Sequence, residues 1–528
     1  MRWRFIFIIF VFGTLYSVLV FHLYNIQIVK NLYYSARAQF LSEAGVLEKY
    51  RGDIYFIDKN NNLIQAALNK DYDMIYAVPS EIQKEAKLNN SDTADWAEKL
   101  SPILNVDAVE LEKKINKQND SYELLILKAG EEQTKQIQKL NLKGIYIDKR
   151  NLRFYPFGEL ASQLLGFVSI DKQEGRYGLE SRFDSFLQSN GLITTIDWNI
   201  QAQTEEILRK LVERWEAKSA TAIVQDPKTG KILAMANFPN FEPNDYPRFD
   251  IGDFLNPAVQ AVYEPGSVFK IFTMAAGIDS GKITPETVYF DSGSVTLNGK
   301  TIRNWDHKAY GKTTMAEVIE HSINTGSVYA ERMMGHDIFY NYFVKFGFNA
   351  LTEINLPGEV KGNIGNLKNG RDIDFATASY GQGVSVTPVR LISAVSAIAN
   401  GGVIMKPLIS VDEKPEAIRR IISEDSARAV AGMMVSAVRK NIIADIANYS
   451  VAGKTGTAYI PDFKVGGYTE DVINTYTGFA PASDPKFVIL IKLEKPKNAP
   501  VAGQTVVPAF RELAQFILNY YNVAPDEL

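Results

Sequence analysis

Cysteine is absent from this chain of 528 residues, and histidine occurs only as His22, His307, His321 and His336. Without cysteine, thiol catalysis and cysteine-ligated metal centres are excluded. The histidines lack the spacing of metal ligands, and His321 is typical of a solvated or capping histidine. No Walker-type or dinucleotide-binding glycine-rich loop is present. The sequence therefore predicts neither a metal site nor a cofactor.

An excess of charge of either sign is also absent. Lysine and arginine number 57, against 61 aspartates and glutamates. This near balance argues against a nucleic-acid-binding protein. Apolar residues make up 46% of the chain, so a chain of this length can bury a large core and form two or more domains.

One segment has an unusual composition, because the residues from Phe5 to Leu23 are almost all apolar. A helix of that length is about 28 Å long and spans the hydrocarbon core of a bilayer. A cleaved signal peptide is the alternative, since Ala36 and Ala38 have the small-residue pattern of a cleavage site. That pattern lies well beyond the apolar run, and we therefore predict a retained transmembrane anchor at residues 5–24.

The charges beside the anchor indicate its orientation. Arg2, Arg4 and the amino group of the chain precede it, whereas Lys30 and Arg37 follow it. The positive-inside tendency then favours a short cytoplasmic tail at residues 1–4. We predict a single-pass protein of the plasma (inner) membrane, with the rest of the chain outside the cytoplasm.

Three short motifs occur in a fixed order. Ser267 and Lys270 lie three residues apart at the predicted start of an apolar helix, and Ser322 and Asn324 follow with one residue between them. The last motif is the strand-like run Lys454, Thr455, Gly456 and Thr457. This ordered set is typical of serine acyl-transferases in which a lysine takes the place of histidine.

Single motifs of this kind also occur by chance. Ser-x-x-Lys begins at Ser169 and Ser483 as well, but both lie in polar, turn-rich sequence that begins no apolar helix. A second Lys-Thr-Gly, at Lys228, is predicted to form the loop of a hairpin. Ser267 instead precedes a run that is apolar on every side, which predicts a buried helix.

The side chains of these motifs have complementary chemistry. Ser267 is a weak nucleophile until a base removes its proton, and Lys270 shares its helix face. Burial lowers the pKa of a lysine, and Lys454 adds a like charge, so Lys270 is predicted to be neutral for part of the cycle. Ser322 can relay a proton, and Asn324 can hold Lys270 and a substrate amide.

The last motif suits the binding of a carboxylate. Lys454 supplies a cation, and Thr455 and Thr457 supply hydroxyl groups on either side of Gly456. A strand with these residues can also pair with an extended peptide as an added strand. We predict that Thr455, Gly456 and Thr457 bind the substrate.

The overall pattern predicts an α+β protein. Residues 25–41 are predicted to continue as a helix beyond the anchor, and RGDIYFIDKNNNLIQAAL to form two strands around an asparagine-rich turn. Charged helical stretches follow between Asp92 and Leu140, and a helix is predicted from about Glu159. Asn190-Gly191 is a candidate domain boundary.

The pattern changes after that boundary, over residues 191–528. It predicts a long amphipathic helix from Ile200 to Trp215, a hairpin, a buried helix, two further strands and a C-terminal helix. Helices that pack on an antiparallel sheet are the expected arrangement, with Ser267 on a helix and Lys454 on a strand that faces it.

With its motifs in this order, the chain resembles the class B penicillin-binding proteins over nearly its whole length. The segments that carry the resemblance are RGDIYFIDKNNNLIQAAL, RFYPFGELASQLLGFV, GRYGLESRFD, TTIDWNIQ, DPKTGKILAMANFPNFEPN, YEPGSVFKIF, HSINTGSVY, SYGQGVSVTPVRL and AGKTGTAYI. The resemblance implies a penicillin-binding/serine-transpeptidase fold at 191–528, preceded by an elongated α+β pedestal or dimerisation-type domain at 25–190. The compact pedestal is most similar to the cell-division (septal) branch.

The resemblance implies a monofunctional peptidoglycan D,D-transpeptidase. Ser267 would form an acyl-enzyme from a D-Ala–D-Ala stem peptide, and the amine of a neighbouring stem would then accept the acyl group. The backbone N–H groups of Ser267 and Thr457 would form the oxyanion hole, and β-lactams would acylate Ser267. The implied partners are stem peptides on lipid-linked or nascent glycan, a polytopic glycan polymerase and division proteins.

Two alternative functions remain open. A β-lactamase or a β-lactam sensor would use the same acyl chemistry, but Ser-Ile-Asn replaces the Ser-Asp-Asn of class A β-lactamases, and no segment matches their deacylating glutamate. A sensor would carry a polytopic signalling part, against which the single N-terminal span argues. A non-catalytic division scaffold would have the fold without the reaction, and the complete set of motifs argues against it.

Overall fold

The computed structural model of the protein describes residues 2–29, 34, 51–118, 120, 122–170, 172–462, 464–498 and 501–527. Of the helix predicted for residues 25–41, the described part contains a π-helical turn at Asn25–Val29. The remainder of that prediction, apart from Tyr34, lies outside the described residues.

The described residues form the following elements. The helices are α1 (Arg2–Tyr24), α2 (Pro79–Asn89), α3 (Ala94–Leu104), α4 (Ala108–Ile115), α5 (Glu131–Leu140), α6 (Ser162–Leu165), α7 (Gly178–Arg182), α8 (Asp184–Leu187), α9 (Trp198–Trp215), α10 (Pro257–Gln260), α11 (Lys270–Asp279), α12 (Met315–Glu320), α13 (Asn324–Met334), α14 (His336–Lys345), α15 (Asp372–Ala378), α16 (Pro388–Ala399), α17 (Glu424–Asn441) and α18 (Val506–Tyr520). The strands are β1 (Ile54–Ile57), β2 (Leu63–Ala77), β3 (Glu123–Ala129), β4 (Ile145–Phe154), β5 (Phe167–Val168), β6 (Gly175–Arg176), β7 (Leu192–Asp197), β8 (Ser219–Gln225), β9 (Ile232–Phe238), β10 (Val288–Asp291), β11 (Ser294–Leu297), β12 (Lys300–Arg303), β13 (Gly311–Thr314), β14 (Val403–Met405), β15 (Ala417–Arg420), β16 (Ala452–Pro461), β17 (Tyr468–Ala480) and β18 (Phe487–Glu494).

Helix α1 contains the predicted anchor. None of its residues is buried, and in the part of the chain that the structure describes it is the one helix long and apolar enough to cross a membrane. An apolar helix of this length with no buried face fits a single-pass membrane anchor.

The chain forms two compact units. The first contains the described residues of Met1–Arg51, Asn69–Phe154 and Ser169–Glu174, and the second those of Gly52–Leu68, Tyr155–Val168 and Gly175–Leu528. In the first unit β3 pairs antiparallel with β2. The charged helices predicted between Asp92 and Leu140 are confirmed as α3, α4 and α5, but the charge pattern did not predict strand β3 between α4 and α5.

The second unit is built on a five-stranded antiparallel sheet in the order β16-β17-β18-β8-β9. The hairpin predicted around Lys228 is confirmed, because β8 and β9 pair with Ala222 opposite Ala236. Strand β18 is apolar at nearly every position because hydrophobic clusters cover both faces of the sheet. Leu490 packs into one cluster and Ile489 into the other.

Helices on the two faces complete these clusters. On one face α9 and α18 pack against the sheet through residues such as Leu211 and Phe510, and α9 confirms the amphipathic helix predicted to end at Trp215. The other cluster contains α11 and α16. The buried helix predicted after Ser267 is confirmed, because every residue from Lys270 to Gly277 is buried.

One predicted helix is wrong in its start and its length. The helix expected from about Glu159 begins at Ser162 and has only four residues. Gly158 and Ala161 have φ angles of 59° and 56°, and such left-handed residues interrupt an α-helix. The amide of Ala161 donates to Glu205 at 2.6 Å instead of to the helix.

Aromatic rings fix the position of α11. Phe272 is fully buried, and its ring centroid lies 4.9 Å from that of Phe346 and 5.0 Å from that of Phe348. Phe269 and Phe343 extend the same cluster. The helix therefore rests on a close-packed aromatic layer that leaves little room for movement.

The substitution Phe272→Ala is expected to lower the free energy of unfolding by about 3–5 kcal/mol, because it leaves a cavity in this layer. Phe290→Ala is the matched control: Phe290 is 77% exposed, and its loss is expected to cost less than about 0.5 kcal/mol. Urea unfolding of the full-length chain in detergent measures both. Equal midpoints for the two variants would contradict this account of the packing.

Candidate active site

A tight turn presents Ser267 at the start of α11. Gly266 to Phe269 form a 3₁₀ turn that leads directly into the helix. The amide of Gly266 donates to the carbonyl of Gly381 at 3.0 Å, and both glycines have positive φ. A Cβ on Gly381 would lie 2.0 Å from the carbonyl oxygen of Gly266. Glycine at this position therefore allows two backbone segments to meet behind Ser267.

The amine of Lys270 lies at the centre of the cluster. Its side chain is fully buried, and Nζ lies 2.9 Å from Ser267 Oγ. Nζ also lies 2.8 Å from the Ser322 carbonyl oxygen and 2.8 Å from Asn324 Oδ1. These two oxygens only accept hydrogen bonds. A neutral amine gives them its two N–H groups, and its lone pair is then left for the hydroxyl of Ser267.

The surroundings of Lys270 favour this neutral form. Burial lowers the pKa of Lys270 well below its ordinary value, and the neighbouring Lys454 lowers that pKa further. Two ammonium groups in one dry pocket repel each other, and each is expensive to desolvate. In the described chain no carboxylate lies within ion-pair distance of Lys270.

Asn324 is oriented by both ends of its amide. Nδ2 donates to the carbonyl of Arg303 at 2.8 Å, so that Oδ1 faces Lys270. Asn324 is the first residue of α13. Helix α13 and the carbonyl of Arg303 therefore fix which atom of the amide meets the amine.

Ser322 lies between the two lysines. Its Oγ is 3.0 Å from Lys454 Nζ and 3.2 Å from Lys270 Nζ. Its backbone has a φ of 55°, a left-handed conformation that costs a serine of the order of 1 kcal/mol. The geometry allows one hydroxyl to exchange protons with either amine.

Lys454 approaches from the end strand of the sheet. Strand β16 is terminal in the strand order, and its Gly456 packs on the Ser267 turn, since a Cβ there would lie 2.4 Å from the carbonyl oxygen of Pro265. Lys454 is buried, and Nζ contacts the carbonyl and hydroxyl oxygens of Thr455 at 3.2 and 3.3 Å. Burial lowers the pKa of Lys454 to about 7.

Thr457 lies next to the turn that carries Ser267. A Cβ on Gly266 would lie 2.9 Å from the carbonyl oxygen of Thr457, so the backbones at Ser267 and Thr457 are neighbours. Thr457 Oγ1 accepts from the amide of Ala502 at 3.2 Å. Thr455 and Thr457 are both half-buried, on the strand that flanks Ser267.

The structure brings all the predicted site residues together: Ser267, Lys270, Ser322, Asn324, Lys454, Thr455, Gly456 and Thr457. The other copies of the motifs lie elsewhere. Lys228 and Lys486 both form ion pairs with the exposed Asp484. His321 ends helix α12 and stacks on Tyr310 with ring centroids 5.1 Å apart, as a capping histidine does.

The motifs did not reveal two groups around this cluster, one that contacts Asn324 and one near the amine of Lys270. The carbonyl of Arg303 belongs to the backbone and has no signature in the sequence. The ring of Tyr380 has its centroid 5.9 Å from Lys270 Nζ and precedes the Gly381 turn. That turn is visible in the sequence as Gly-Gln-Gly. It is the feature from which a position of Tyr380 near the site could have been predicted.

Comparisons with known proteins identify the two domain families to which this chain is similar. The family described as "Penicillin binding protein transpeptidase domain" matches residues 220–515, and the "Penicillin-binding Protein dimerisation domain" matches residues 47–214. Stage V sporulation protein D of Bacillus subtilis is 31% identical over 87% of this chain and 76% of its own length. Peptidoglycan D,D-transpeptidase FtsI of Escherichia coli is 28% identical over 86% of this chain and 81% of its own.

A solved structure gives the same result. A peptidoglycan synthetase from Bifidobacterium adolescentis superposes with a TM-score of 0.69 at 26% identity, over 91% of this chain and 97% of that one. The predicted α+β transpeptidase fold behind a dimerisation-type domain is confirmed. Because the transpeptidase-domain match covers more than half of the sequence, this chain belongs to the penicillin-binding proteins, in the class B arrangement.

Proposed function

We propose that this chain is a serine-type peptidoglycan D,D-transpeptidase that acts in septal cell-wall synthesis. The observation that carries the proposal is the half-buried hydroxyl of Ser267, which lies 2.9 Å from the fully buried amine of Lys270. The relatives named as peptidoglycan D,D-transpeptidases support the choice of substrate. The following steps assign roles to the residues of this site.

In the first step Ser267 Oγ attacks the carbonyl carbon between the two D-alanines of a stem peptide. Lys270 takes the hydroxyl proton as the new C–O bond forms. The tetrahedral intermediate carries a negative charge on the former carbonyl oxygen. The backbone N–H groups of Ser267 and Thr457 stabilise that oxyanion, a role that suits the close approach of their two chain segments.

In the second step the C–N bond breaks and D-alanine leaves. Its nitrogen needs a proton, and Ser322 passes one from Lys270, because Oγ lies 3.2 Å from Lys270 Nζ and faces the cleft between the lysines. The acyl-enzyme on Ser267 remains. An amine of a neighbouring stem then attacks the ester carbonyl, and Lys270 takes the proton of that amine. The bond between the carbonyl carbon and Ser267 Oγ breaks as Lys270 returns the proton to Oγ at 2.9 Å, which frees Ser267 and leaves the cross-link.

Lys454 and the threonines bind the terminal carboxylate of the donor peptide. With a pKa of about 7, Lys454 gains a proton readily when an anion arrives, since an opposite charge favours the ammonium form. Thr455 and Thr457 add hydroxyl donors, and the free edge of β16 accepts the peptide backbone as an added strand. A β-lactam with its own carboxylate fits the same position and acylates Ser267.

The remaining assignments follow from the family. Helix α1 anchors the chain in the plasma membrane with residues 1–4 in the cytoplasm, residues 25–190 form the non-catalytic pedestal, and residues 191–528 form the transpeptidase domain. A polytopic glycan polymerase and division proteins are the partners that the resemblance to class B penicillin-binding proteins implies. Parallel cell-wall assays with and without a polymerase test that part of the proposal.

The direct test of the nucleophile is the intact mass of the full-length chain after treatment with penicillin. Wild-type protein is expected to gain the mass of one β-lactam, and Ser267→Ala to gain none. A donor peptide that ends in D-Ala–D-Ala, together with an amine acceptor, is then expected to yield free D-alanine and a joined peptide. Rapid loss of the penicillin adduct would favour a β-lactamase instead, and a Ser267→Ala chain that supports growth and cross-linking would favour a scaffold.

The rate of acylation is expected to depend on pH through Lys270. Burial and the neighbouring Lys454 lower the folded pKa of Lys270 below the ordinary 10.5, and the acylation rate is expected to rise with pH as Lys270 loses its proton and becomes a base. Stopped-flow acylation between pH 5 and 11 gives the profile. We expect the rising limb well below pH 10.5.

Lys270→Arg is the control for this profile, because arginine keeps the charge and cannot be deprotonated. Its acylation rate is expected to fall by about 10²–10⁴-fold, the usual contribution of a general base. If the acylation rate of wild type rose with pH around the ordinary lysine pKa, or if Lys270→Arg were acylated as fast as wild type, Lys270 would be excluded as the base.

A further inference from the structure

Residues 284–314 form an arm between α11 and α12 that contains none of the sequence motifs. In it β10 pairs with β13, and β11 pairs with β12. Its segment Arg303–Trp305, which begins at the last residue of β12, lies against the residues around Ser322 and Asn324.

Three consecutive residues of this segment hold that turn from both sides. The indole Nε1 of Trp305 donates to the carbonyl of His321 at 3.0 Å. The carbonyl of Arg303 accepts from Asn324 Nδ2 at 2.8 Å, and Asn304 Oδ1 accepts from the amide of Thr325 at 3.2 Å. The strained Ser322 lies between the residues held in this way, and strain of this kind persists only where the surroundings fix it.

A buried carboxylate organises the segment in turn. Asp291 is 1% exposed and accepts from Asn304 Nδ2 at 2.8 Å and from Thr325 Oγ1 at 2.6 Å. It also accepts the backbone N–H groups of Gly293 and Tyr310, both at 2.9 Å. A carboxylate only accepts hydrogen bonds, and here four neutral donors surround it.

These contacts determine which way the side-chain amides of Asn304 and Asn324 are oriented. Because Asn304 gives its NH₂ group to Asp291, its oxygen faces the amide of Thr325. The carbonyl of Arg303 accepts from the NH₂ group of Asn324, so that group points away from Lys270. Oδ1 of Asn324 then lies 2.8 Å from Lys270 Nζ. A reversed Asn324 would point two N–H donors at an amine whose own donors need acceptors.

We propose that Asp291 is a positioning residue for the transfer of the Ser267 proton. It fixes Arg303–Trp305, and that segment holds Ser322 and Asn324 against Lys270. The inference rests on the proposed function, because it assumes that Lys270 is the base. Asp291 acts through Asn304 and Thr325 and touches no reacting atom.

The test uses the full-length chain in detergent, penicillin as the probe, and a matched pair of variants at Thr325. Thr325→Val removes the hydroxyl that donates to Asp291 and keeps the shape of the side chain, whereas Thr325→Ser keeps the hydroxyl. We expect acylation of Thr325→Val to be about 10- to 100-fold slower, the scale of a small misplacement of catalytic groups. Thr325→Ser is expected to acylate within about twofold of wild type.

The pH profile separates positioning from mere stability. A poorly held Asn324 is a weaker acceptor for Lys270, and a weaker acceptor disfavours the ammonium form. The rising limb of Thr325→Val is therefore expected at lower pH than that of wild type and Thr325→Ser. A purely structural role would lower the midpoint of thermal unfolding and leave the rate of the folded fraction and its pH limb unchanged, which would overturn the proposal.

Asp291→Asn and Trp305→Phe provide independent variants. Asparagine places an NH₂ group among donors, so Asp291→Asn is expected to be slower than Thr325→Val. Trp305→Phe removes the indole N–H that donates to His321 and is expected to slow acylation by a smaller factor, because Trp305 is mostly exposed. If wild type is acylated and all of these variants are acylated at the same rate, the positioning role of Asp291 is wrong and the proposed function stands. If wild type forms no adduct with penicillin, both the proposed function and the positioning role are wrong.

Discussion

The burial of one lysine amine is the constraint on which the site depends. Lys270 has neighbouring acceptors for two N–H groups and a hydroxyl at its lone pair. A third proton would find no carboxylate to pair with among the described residues, and Lys454 would repel it. These surroundings therefore lower the pKa of Lys270, and in the proposed reaction its neutral amine acts as the base for the Ser267 hydroxyl. The aromatic layer under α11 fixes the position of the helix that carries this amine.

Segments far apart in the sequence determine the geometry of the site. They can approach closely because glycines, which have no side chain, stand where the backbones meet. Gly381 allows one loop to reach the back of the Ser267 turn, and Gly456 allows strand β16 to lie against its front. A methyl group at either position would push these backbones apart by more than a hydrogen bond tolerates. Strand β16 is the terminal strand of the sheet, and its edge is where we propose that an extended peptide binds.

The sequence motifs predicted the residues that the structure brings together around Lys270, and they missed the groups that hold those residues in place. Order and context were enough to separate Ser267 from Ser169 and Ser483, and the apolar run after it predicted a buried helix that the structure confirms. The short helix near Glu159 was misplaced because left-handed residues interrupt it. Nothing in the sequence marks Asp291, because its role depends on tertiary contacts with Thr325 and Asn304.

The central claim concerns the charge of Lys270, and NMR observation of the lysine side chains tests it most directly. Full-length protein labelled with ¹³C at the lysine ε carbon is titrated with pH, and Lys270→Arg and Lys454→Arg identify two resonances. The account predicts that the Lys270 resonance titrates well below the ordinary 10.5 and shifts again when Lys454 is replaced. A Lys270 resonance that titrates near 10.5 and is indifferent to Lys454 would contradict it.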